Sequence, residues 1–272
     1  MPELPEVETI ARDLRPGLTG ARFSDVRIHR PNVLRDITPS ALARALRGRR
    51  VAEVGRRAKH LVILLDDGAR LVIHPRMTGS LYITTARKRD PYGVLDVGLG
   101  AGRRLVFRDV RRLGTVQLLS PKRWATYSAR IGPEPLEKGF TAAVLGGALH
   151  GRRLAIKKAL MDQRRLAGVG NIYANEALWL ARIDPSRPAL GLTSAEVVRL
   201  HKAVVGVLRS AVRGRGTTVR DYRTGTGEPG TFQGRLVVYG RAGEPCLACR
   251  RHLALTHAID ARATYFCPWC QS

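Results

Sequence analysis

Four cysteines at the end of the chain constrain its fold more than any other feature. Cys246, Cys249, Cys267 and Cys270 all lie in the last 27 of 272 residues, with the spacing C-x2-C-x17-C-x2-C. This spacing is typical of a zinc site, because each C-x2-C pair can turn two thiolates toward one tetrahedral ion. Two disulfide bonds are the alternative, and a reducing compartment disfavours them. Four thiolates leave no position for a catalytic water, so we predict one structural Zn2+ ion.

The residues around the cysteines predict a small β-hairpin. Short apolar runs at 236–239 and 263–266 have the composition of strands. A module of this size cannot bury enough apolar surface to fold alone, so its folding is expected to depend on the metal.

The charge of the chain points to a polyanionic partner. It has 47 Lys and Arg residues against 22 Asp and Glu, a formal net charge of +25, and 44% hydrophobic residues. A basic chain that can still bury a core is typical of nucleic-acid-binding proteins, although ribosome association or a generally cationic surface would give the same balance. Only 7 of the basic residues are lysines.

The sequence contains no signal for a membrane. Its uninterrupted apolar runs are far shorter than the roughly 20 residues that a spanning helix needs. The acidic, proline-containing start is also unlike a signal peptide. We therefore expect a cytoplasmic, nucleoid-associated monomer.

Apolar periodicity predicts a leading helix and then a β-rich region. Apolar side chains recur at helical spacing over residues 6–14. Short β-rich runs separated by turn residues follow at 51–54, 61–65, 71–74, 81–84, 94–99, 105–107 and 115–119. Regularly spaced short runs of this kind predict an antiparallel β-sandwich or barrel.

The pattern becomes helical beyond residue 152. A helix is predicted over 171–183, and Thr193-x-x-Glu196 is a capping box that opens a second, long helix to about residue 212. The Gly-rich stretch 214–234 has no periodicity, and a loop of this length in a compact protein is usually functional or disordered.

The first residues carry a candidate nucleophile. Met1 is commonly removed when proline follows it, and Pro2 would then begin the chain with a secondary amine. An α-amino group has a pKa of about 8, so part of it is unprotonated near neutral pH and can attack a sugar carbon. Glu3 is adjacent and can exchange protons. Lys59 is the only lysine in the first 87 residues. An ammonium is a compact donor whose pKa can shift, which an arginine cannot imitate, so Lys59 is a candidate functional residue.

Several motifs in a fixed order resemble the bacterial formamidopyrimidine-DNA glycosylase family over essentially the whole chain. They are MPELPEVET (1–9), RRAK (56–59), HPRMTG (74–79), DVRRLG (109–114), GPEPL (132–136), GVGNIY (168–173), YGR (239–241) and the cysteine motif. The resemblance implies an α+β multidomain chain. We expect a catalytic β-sandwich domain with a leading helix at 1–135, a helix-two-turn-helix domain with a lesion-capping loop at 136–235, and a zinc finger at 236–272.

The resemblance also implies an activity. Such an enzyme flips an oxidised purine out of duplex DNA, excises it through a Schiff base, and cleaves the strand by β,δ-elimination. Pro2 would be the nucleophile, Glu3 the proton donor and Lys59 the catalytic lysine, and Arg262 of the zinc finger would assist the second elimination.

The remaining matches concern damaged double-stranded DNA. Met77, Arg111 and Leu113 match the residues that fill the void left by the flipped base, although the family usually has an aromatic residue in place of Leu113 and a proline in place of Val110. Other DNA contacts are implied at His74, Tyr92, Arg152, Lys157 and Asn171, of which Tyr92 and Arg152 depart from the usual residue. Glu176 matches a supporting position near the terminal amine.

Two other functions compete with this prediction. The related endonuclease VIII type prefers oxidised pyrimidines, but that branch typically has glycine where this chain has Leu4. A non-catalytic zinc-containing DNA-binding protein could keep the same fold. The presence of Pro2, Glu3 and Lys59 argues against it.

Overall fold

Two four-stranded antiparallel sheets dominate the first of the two units into which the chain divides, Met1–Ala129 with Gly214–Gln233. The computed structural model describes residues 1–151, 153–218 and 222–272. One sheet has the order β2-β3-β4-β8, built from β2 (Val51–Arg57), β3 (His60–Leu65), β4 (Arg70–His74) and β8 (Thr115–Leu119). The other has the order β1-β6-β7-β5, built from β1 (Val26–Ile28), β6 (Gly93–Gly100), β7 (Arg103–Asp109) and β5 (Gly79–Thr84).

The core of this unit lies against both sheets. Strand β3 shows the alternation that produces it: Leu61, Ile63 and Leu65 are buried, while the residues between them are half-buried, because successive side chains point to opposite faces of a strand. Helix α1 (Leu4–Leu18) contributes Val7 and Ile10 to the same cluster. The leading helix and the β-sandwich predicted from the sequence are confirmed.

Two further helices of this unit were not predicted. Helix α2 (Pro39–Leu46) is capped by Thr38, whose hydroxyl accepts the Ala41 N–H at 3.3 Å. Helix α3 (Pro121–Ala129) has no buried residue, so its sequence lacks the apolar stripe by which amphipathic helices are found.

The second unit, Arg130–Arg213 with Gly234–Ser272, is helical with one small hairpin. Its helices are α4 (Ala142–Leu149), α5 (Ile156–Met161), α6 (Asn171–Ala181) and α7 (Ser194–Arg213). The predicted capping box opens α7, since Thr193 N–H donates to Glu196 at 2.8 Å and Glu196 N–H donates back to the Thr193 hydroxyl at 3.3 Å.

The hairpin of the cysteine module consists of β9 (Ala254–Thr256) and β10 (Thr264–Phe266), which pair antiparallel. The second strand agrees with the sequence prediction. The strand predicted at 236–239 is wrong: N–H groups of Val237, Val238 and Tyr239 donate to the carboxylate of Glu176 rather than to a neighbouring strand.

The boundaries of the two units differ from the three domains expected. The stretch 214–233 groups with the β-sandwich rather than with the helices, and the cysteine module groups with the helical segment. The three-domain division stays a prediction. Within the described residues, we found no helix with the length and hydrophobicity needed to cross a membrane.

The core packing makes a simple prediction. Ile63→Ala should lower the free energy of unfolding by about 2–5 kcal/mol, because the Ile63 side chain is fully buried and its removal leaves a cavity in the core. Val62→Ala is the matched control, since its side chain is half-buried on the other face of β3. Urea unfolding followed by circular dichroism measures both. Equal losses for the two variants would contradict this assignment of the core face.

Candidate functional site

Pro2 and Glu3 stand directly before α1, and the first turn of that helix is fixed by a reciprocal capping box. The Glu3 side chain accepts the N–H of Glu6, and the Glu6 carboxylate accepts the Glu3 N–H at 2.8 Å. Both carboxylates are buried. Met1 ahead of them is 41% exposed. The chain at Pro2 therefore leads straight into an ordered helix start.

Lys59 occupies the two-residue turn between β2 and β3, where Arg57 pairs with His60. Ala58 in this turn takes a left-handed conformation with a φ of 51°. The Arg56 guanidinium donates to the Ala58 carbonyl at 2.8 Å and to Glu8 of α1 at 3.2 Å. The turn is thereby fastened to α1, and Lys59 itself is only 5% exposed.

Helix α3 holds the same turn from its other side. Arg57 Nε donates to the Ser128 hydroxyl at 3.1 Å, and the Tyr127 hydroxyl lies 2.8 Å from His60 Nε2. His60 Nδ1 lies 3.2 Å from the Arg57 carbonyl. A carbonyl can only accept, so Nδ1 carries the proton and the Tyr127 hydroxyl donates to Nε2. Lys59 thus stands between two residues that are each anchored to α3.

His74 packs edge-on against His60, with the ring centroids 4.6 Å apart. Burial lowers the pKa of His60 to about 4 and that of His74 to about 2. Both rings are therefore neutral near pH 7. Because His74 Nδ1 accepts the Arg76 N–H at 2.9 Å, the ring proton lies on Nε2. His74 can then donate one hydrogen bond without carrying a charge.

Met77, Arg111 and Leu113 are exposed residues of two loops of the first unit that leave neighbouring strand ends, and the role predicted for them as a group stays a prediction. The turn that carries Met77 ends at β5, and the loop that carries the other two follows β7, which pairs with β5. Met77 is 41% and Leu113 45% exposed. We call these three exposed side chains the surface patch; apolar side chains such as Met and Leu wedge between base steps in some DNA-binding proteins.

Tyr92 adjoins this patch through the backbone. Its carbonyl accepts the Asp109 N–H at 3.0 Å, and its exposed ring lies under the Arg108 guanidinium, with Cζ 4.8 Å from the ring centroid. The negative face of the ring attracts the guanidinium, so a cation and an aromatic ring are held together beside the loop of Arg111.

The stretch Gly214–Gln233, which includes the predicted lesion-capping loop, is tied to α1 by two carboxylates. Glu6 accepts the Thr217 N–H at 2.8 Å, and Asp13 accepts the Gly225 N–H at 2.9 Å and an Arg215 guanidinium N–H at 3.0 Å. Residues 219–221 lie outside the described part of the chain. The described parts of this loop are therefore ordered against the helix that carries Pro2 and Glu3.

In the second unit, Asn171 is the first residue of α6 and follows Gly170. Its side-chain amide donates to the Ala263 carbonyl at 3.0 Å, next to β10. The start of a helix, with its positive dipole end, is a place where phosphates are bound in many proteins. This placement agrees with the start of the helix predicted at 171.

Lys157 is placed differently from what the sequence suggested. Its side chain is completely buried, and its ammonium donates to the Thr264 hydroxyl at 2.7 Å, and to Asp260 and the Ala263 carbonyl at 3.3 Å each. Burial lowers its pKa although the Asp260 carboxylate opposes the shift. With three acceptors and no exposed surface, this lysine fastens the hairpin to α5 in this structure and is not accessible to DNA. Arg152, the neighbouring prediction, lies outside the described residues.

Arg262 stands in the turn between β9 and β10 and is exposed. Its N–H donates to Asp260 at 2.9 Å, and its guanidinium lies 3.7 Å from the sulfur of Met161. A cavity of about 350 Å³ opens between this turn and α5, lined by Lys158 and Met161 among others. The basic side chains of Lys158 and Arg262 line this cavity together with the carboxylates of Asp162 and Asp260, so both signs of charge meet there.

Glu176 is buried on α6 and accepts the backbone N–H groups of Val237, Val238 and Tyr239 at 2.9–3.0 Å. Burial raises the pKa of its carboxyl, although these three donors oppose the shift. It supports the chain segment that enters the cysteine module.

The four cysteines form one cluster in which all the sulfur atoms lie within 4.8 Å of one another. The distance is 3.9 Å from Cys246 to Cys270 and 3.5 Å from Cys249 to Cys267. A tetrahedron of Zn–S bonds of about 2.3 Å has sulfur–sulfur edges of about 3.8 Å. None of the four is in a disulfide, so the donor set fits a tetrahedral metal ion.

These elements match one family in sequence. Residues 1–116 match the formamidopyrimidine-DNA glycosylase N-terminal domain, and residues 131–223 match its H2TH domain. The formamidopyrimidine-DNA glycosylase of Chloroflexus aurantiacus is 45% identical over 275 aligned positions, covering 100% of this chain and 98% of that protein. The chain belongs to the formamidopyrimidine-DNA glycosylase family.

Solved structures of the family agree in fold. The complex between wild-type Lactococcus lactis Fpg (MutM) and N7-benzyl-Fapy-dG-containing DNA has a TM-score of 0.92 at 32% identity, with 100% of both chains covered. MutM in complex with DNA containing carbocyclic 8-oxo-G has the same TM-score, identity and coverage. The resemblance and the enzyme class predicted from the sequence, a DNA glycosylase, are confirmed.

Sequence reasoning missed the residues that position this family's site in the chain. Thr78 and Asp109 join the two loops of the surface patch, and Asp13 holds the loop at 225. Tyr127 holds the turn of Lys59. Each acts through a contact with a residue far along the chain. Only the Glu3-x-x-Glu6 spacing, a capping pattern, offered a local signal.

The low pKa of His60 predicts a pH dependence of stability. The unfolded chain takes up the proton near the ordinary value of about 6.5, whereas the folded chain resists it until about pH 4. The contribution of His60 to the free energy of unfolding is therefore fully present above about pH 6.5, and it is lost as the pH falls from there toward 4. His60→Gln should flatten this loss in urea unfolding at a series of pH values. The exposed His257→Gln is the control and should keep the wild-type slope; equal slopes for all three proteins would refute the assignment.

Proposed function

We propose that this protein is a bifunctional DNA glycosylase and abasic-site lyase of base excision repair. It would excise oxidised purines, 8-oxoguanine and formamidopyrimidines, from duplex DNA and then cut the strand by β,δ-elimination. The observation that carries the proposal is the arrangement at the start of α1, where Pro2 and buried Glu3 precede an ordered helix and the Lys59 turn is fastened to that helix through Arg56 and Glu8. The membership of the chain in a DNA glycosylase family also supports the proposal.

The proposed chemistry begins after removal of Met1. The Pro2 nitrogen attacks C1′ of the damaged nucleotide, the glycosidic bond breaks, and the base leaves with a proton. Glu3 donates a proton to the sugar oxygen as the ring opens, which leaves an iminium at C1′. The iminium withdraws electrons from C2′, so loss of the C2′ proton expels the 3′-phosphate. A second elimination expels the 5′-phosphate, and Lys59 and Arg262 are proposed to bind the phosphates during these steps.

The proposed binding of DNA divides between the two units. Met77, Arg111 and Leu113 would enter the stack in place of the flipped nucleotide, an extrusion that costs a few kcal/mol, and Arg111 can hydrogen-bond the orphaned cytosine. In the same unit, neutral His74 would donate its Nε2–H to a phosphate, and Tyr92 would contact DNA nearby. Asn171 at the start of α6 and exposed Arg262 would bind phosphates from the second unit.

The metal is proposed to be one structural Zn2+ ion held by Cys246, Cys249, Cys267 and Cys270. The ion would hold the two C-x2-C segments and the hairpin β9–β10 together. It would have no reactive role, because four thiolates leave no open coordination position. Lys157 and Asp260 then fix the turn that carries Arg262. Glu176 supports the segment that leads into the module.

Replacing the terminal amine tests the chemistry. Pro2→Gly supplies a primary amine in place of the secondary one, and we expect base excision from duplex DNA with 8-oxoguanine opposite cytosine to fall by about 10²-fold or more. Borohydride trapping of the covalent adduct and intact-protein mass spectrometry, which reports the loss of Met1, are the measurements. Pro39→Gly at the start of α2 is the matched control. Unchanged excision by Pro2→Gly would refute the nucleophile.

The same assay run on a lesion panel separates the competing functions. Turnover confined to thymine glycol would favour an enzyme for oxidised pyrimidines. Binding to lesion DNA without any trapped adduct would identify a non-catalytic DNA-binding protein.

Removal of the metal tests the role of the cysteine module. Chelation should disorder the hairpin and weaken DNA binding, and Arg262→Ala should reduce the slope of log K against log salt by about one phosphate contact. The exposed helical residue Arg209 offers a control, since Arg209→Ala removes the same charge from α7. A filter-binding titration in which chelation and Arg262→Ala both leave affinity unchanged would contradict the proposal.

A further inference from the structure

The two loops that carry the exposed patch are joined at their roots by the sheet. Strand β5 begins at Gly79, directly after the turn of Met77, and β7 ends at Asp109, directly before Arg111 and Leu113. Gly79 and Asp109 are register partners across the two strands. The patch therefore consists of two separate chain segments that emerge side by side from one strand pair.

Thr78 bridges the two segments through its hydroxyl. The hydroxyl donates its one hydrogen to Asp109 at 2.6 Å, and it accepts the backbone N–H of Arg111 at 2.9 Å. The first distance is typical of a hydrogen bond to an ionised acceptor. Thr78 is the residue next to Met77, so one side chain links the Met77 turn to the backbone of the arginine that would face the orphaned base.

Asp109 secures the other end of the second loop. Its second carboxylate oxygen accepts the Gly114 N–H at 2.7 Å, so the two oxygens hold the loop across its base. Asp109 is 1% and Thr78 6% exposed. A buried carboxylate that loses one of these donors would be left with an unmet acceptor, which opposes separation of the loops.

The backbone leaves little freedom for either loop to shift alone. Arg76 and Arg112 adopt left-handed conformations with φ of 55° and 54°. A Cβ at Gly79 would lie 2.6 Å from the Cα of Pro75, so the Met77 turn closes on itself as tightly as a chain allows. These constraints narrow the conformations open to each loop, and the Thr78 hydroxyl joins one loop to the other.

We propose that Thr78 is a positioning residue that couples Met77 to Arg111, so that the two side chains enter the DNA stack as one unit. The inference rests on the proposed function, because it concerns how the void-filling residues act together. Thr78 does not itself touch the DNA in this account. Its hydroxyl transmits the position of the Met77 turn to the backbone of Arg111, and Asp109 keeps that hydroxyl oriented.

A double-mutant cycle measures this coupling. A fluorescent cytosine analogue opposite 8-oxoguanine reports insertion by stopped flow for wild type, Met77→Ala, Arg111→Ala and the double variant. We expect the fold loss of insertion rate in the double variant to be about fivefold smaller than the product of the fold losses in the two single variants. The reason is that the effects of residues in one network are not additive. The same cycle with Thr78→Val, which keeps the shape and removes the hydroxyl, should give additive losses.

Control variants separate coupling from general damage. Thr78→Ser keeps the hydroxyl and should keep the non-additivity. Thr84→Val makes the same exchange at the far end of β5 and should also leave the cycle unchanged. If Thr78→Val does not fold, as judged by its thermal midpoint, Thr78→Ala takes its place, because it removes the same hydroxyl without placing a methyl group against the Asp109 carboxylate.

The possible outcomes distinguish the two levels of the proposal. If Met77→Ala and Arg111→Ala each leave insertion unchanged, the void-filling function fails and the inference fails with it. If each single variant slows insertion but the coupling persists without the Thr78 hydroxyl, the inference is overturned while the function stands. Loss of coupling in Thr78→Ser would equally overturn it.

Discussion

The buried carboxylate of Glu6 is the contact on which the first unit's candidate chemistry depends. One of its oxygens accepts the Glu3 N–H and fixes the start of α1; the other accepts the Thr217 N–H, and the Tyr222 hydroxyl donates to the Glu6 carbonyl at 3.2 Å. Gly216 approaches so closely that a Cβ there would lie 3.0 Å from Glu6. The Glu6 side chain thus joins the start of α1 at Glu3 to the loop after 214, which Asp13 also holds through Gly225 and Arg215. An aspartate, one methylene shorter, could not span both donors.

The charge of the protein separates into two kinds of basic residue. Arginine supplies most of the +25 charge, and where its guanidinium is buried it fastens turns, as Arg56 and Arg57 do around Lys59. Of the 7 lysines, only Lys59 and Lys157 are buried. An ammonium is compact and can converge on acceptors from several directions, whereas a planar guanidinium needs a wider site. The two buried lysines lie in the turn between β2 and β3 and at the junction of α5 with the hairpin, where three acceptors surround the Lys157 ammonium.

Elements that depend on neighbouring residues in the chain could be predicted from the sequence. The β-rich run at 61–65 and the capping box of α7 could be predicted from neighbouring residues, and the structure confirms both. Each C-x2-C pair is also local, and the structure brings the two pairs into one cluster of four sulfur atoms. The strand expected at 236–239 is wrong because a distant carboxylate, Glu176, takes the N–H groups that a strand partner would need. Thr78 and Asp109 stand inside the family motifs, but their hydrogen bond could not be predicted for the same reason: they are 31 positions apart, and nothing in either neighbourhood marks a buried hydroxyl–carboxylate pair.

The backbone of the loop around Leu113 does not depend on the side chain at 113, which is where this chain departs from the family pattern. Its backbone is set by Arg112 in the left-handed region, by the Arg111 N–H on Thr78, and by the Gly114 N–H on Asp109. The side chain at 113 contributes to none of these contacts and is 45% exposed. Under the proposed mode of DNA binding, a leucine there would lack the stacking of an aromatic ring, about 1–3 kcal/mol per base, while the backbone contacts of the Met77 and Arg111 loops stay the same. The proposal therefore places the cost of this departure in the affinity for DNA, whereas the buried Thr78–Asp109 pair joins the loops whatever side chain stands at 113.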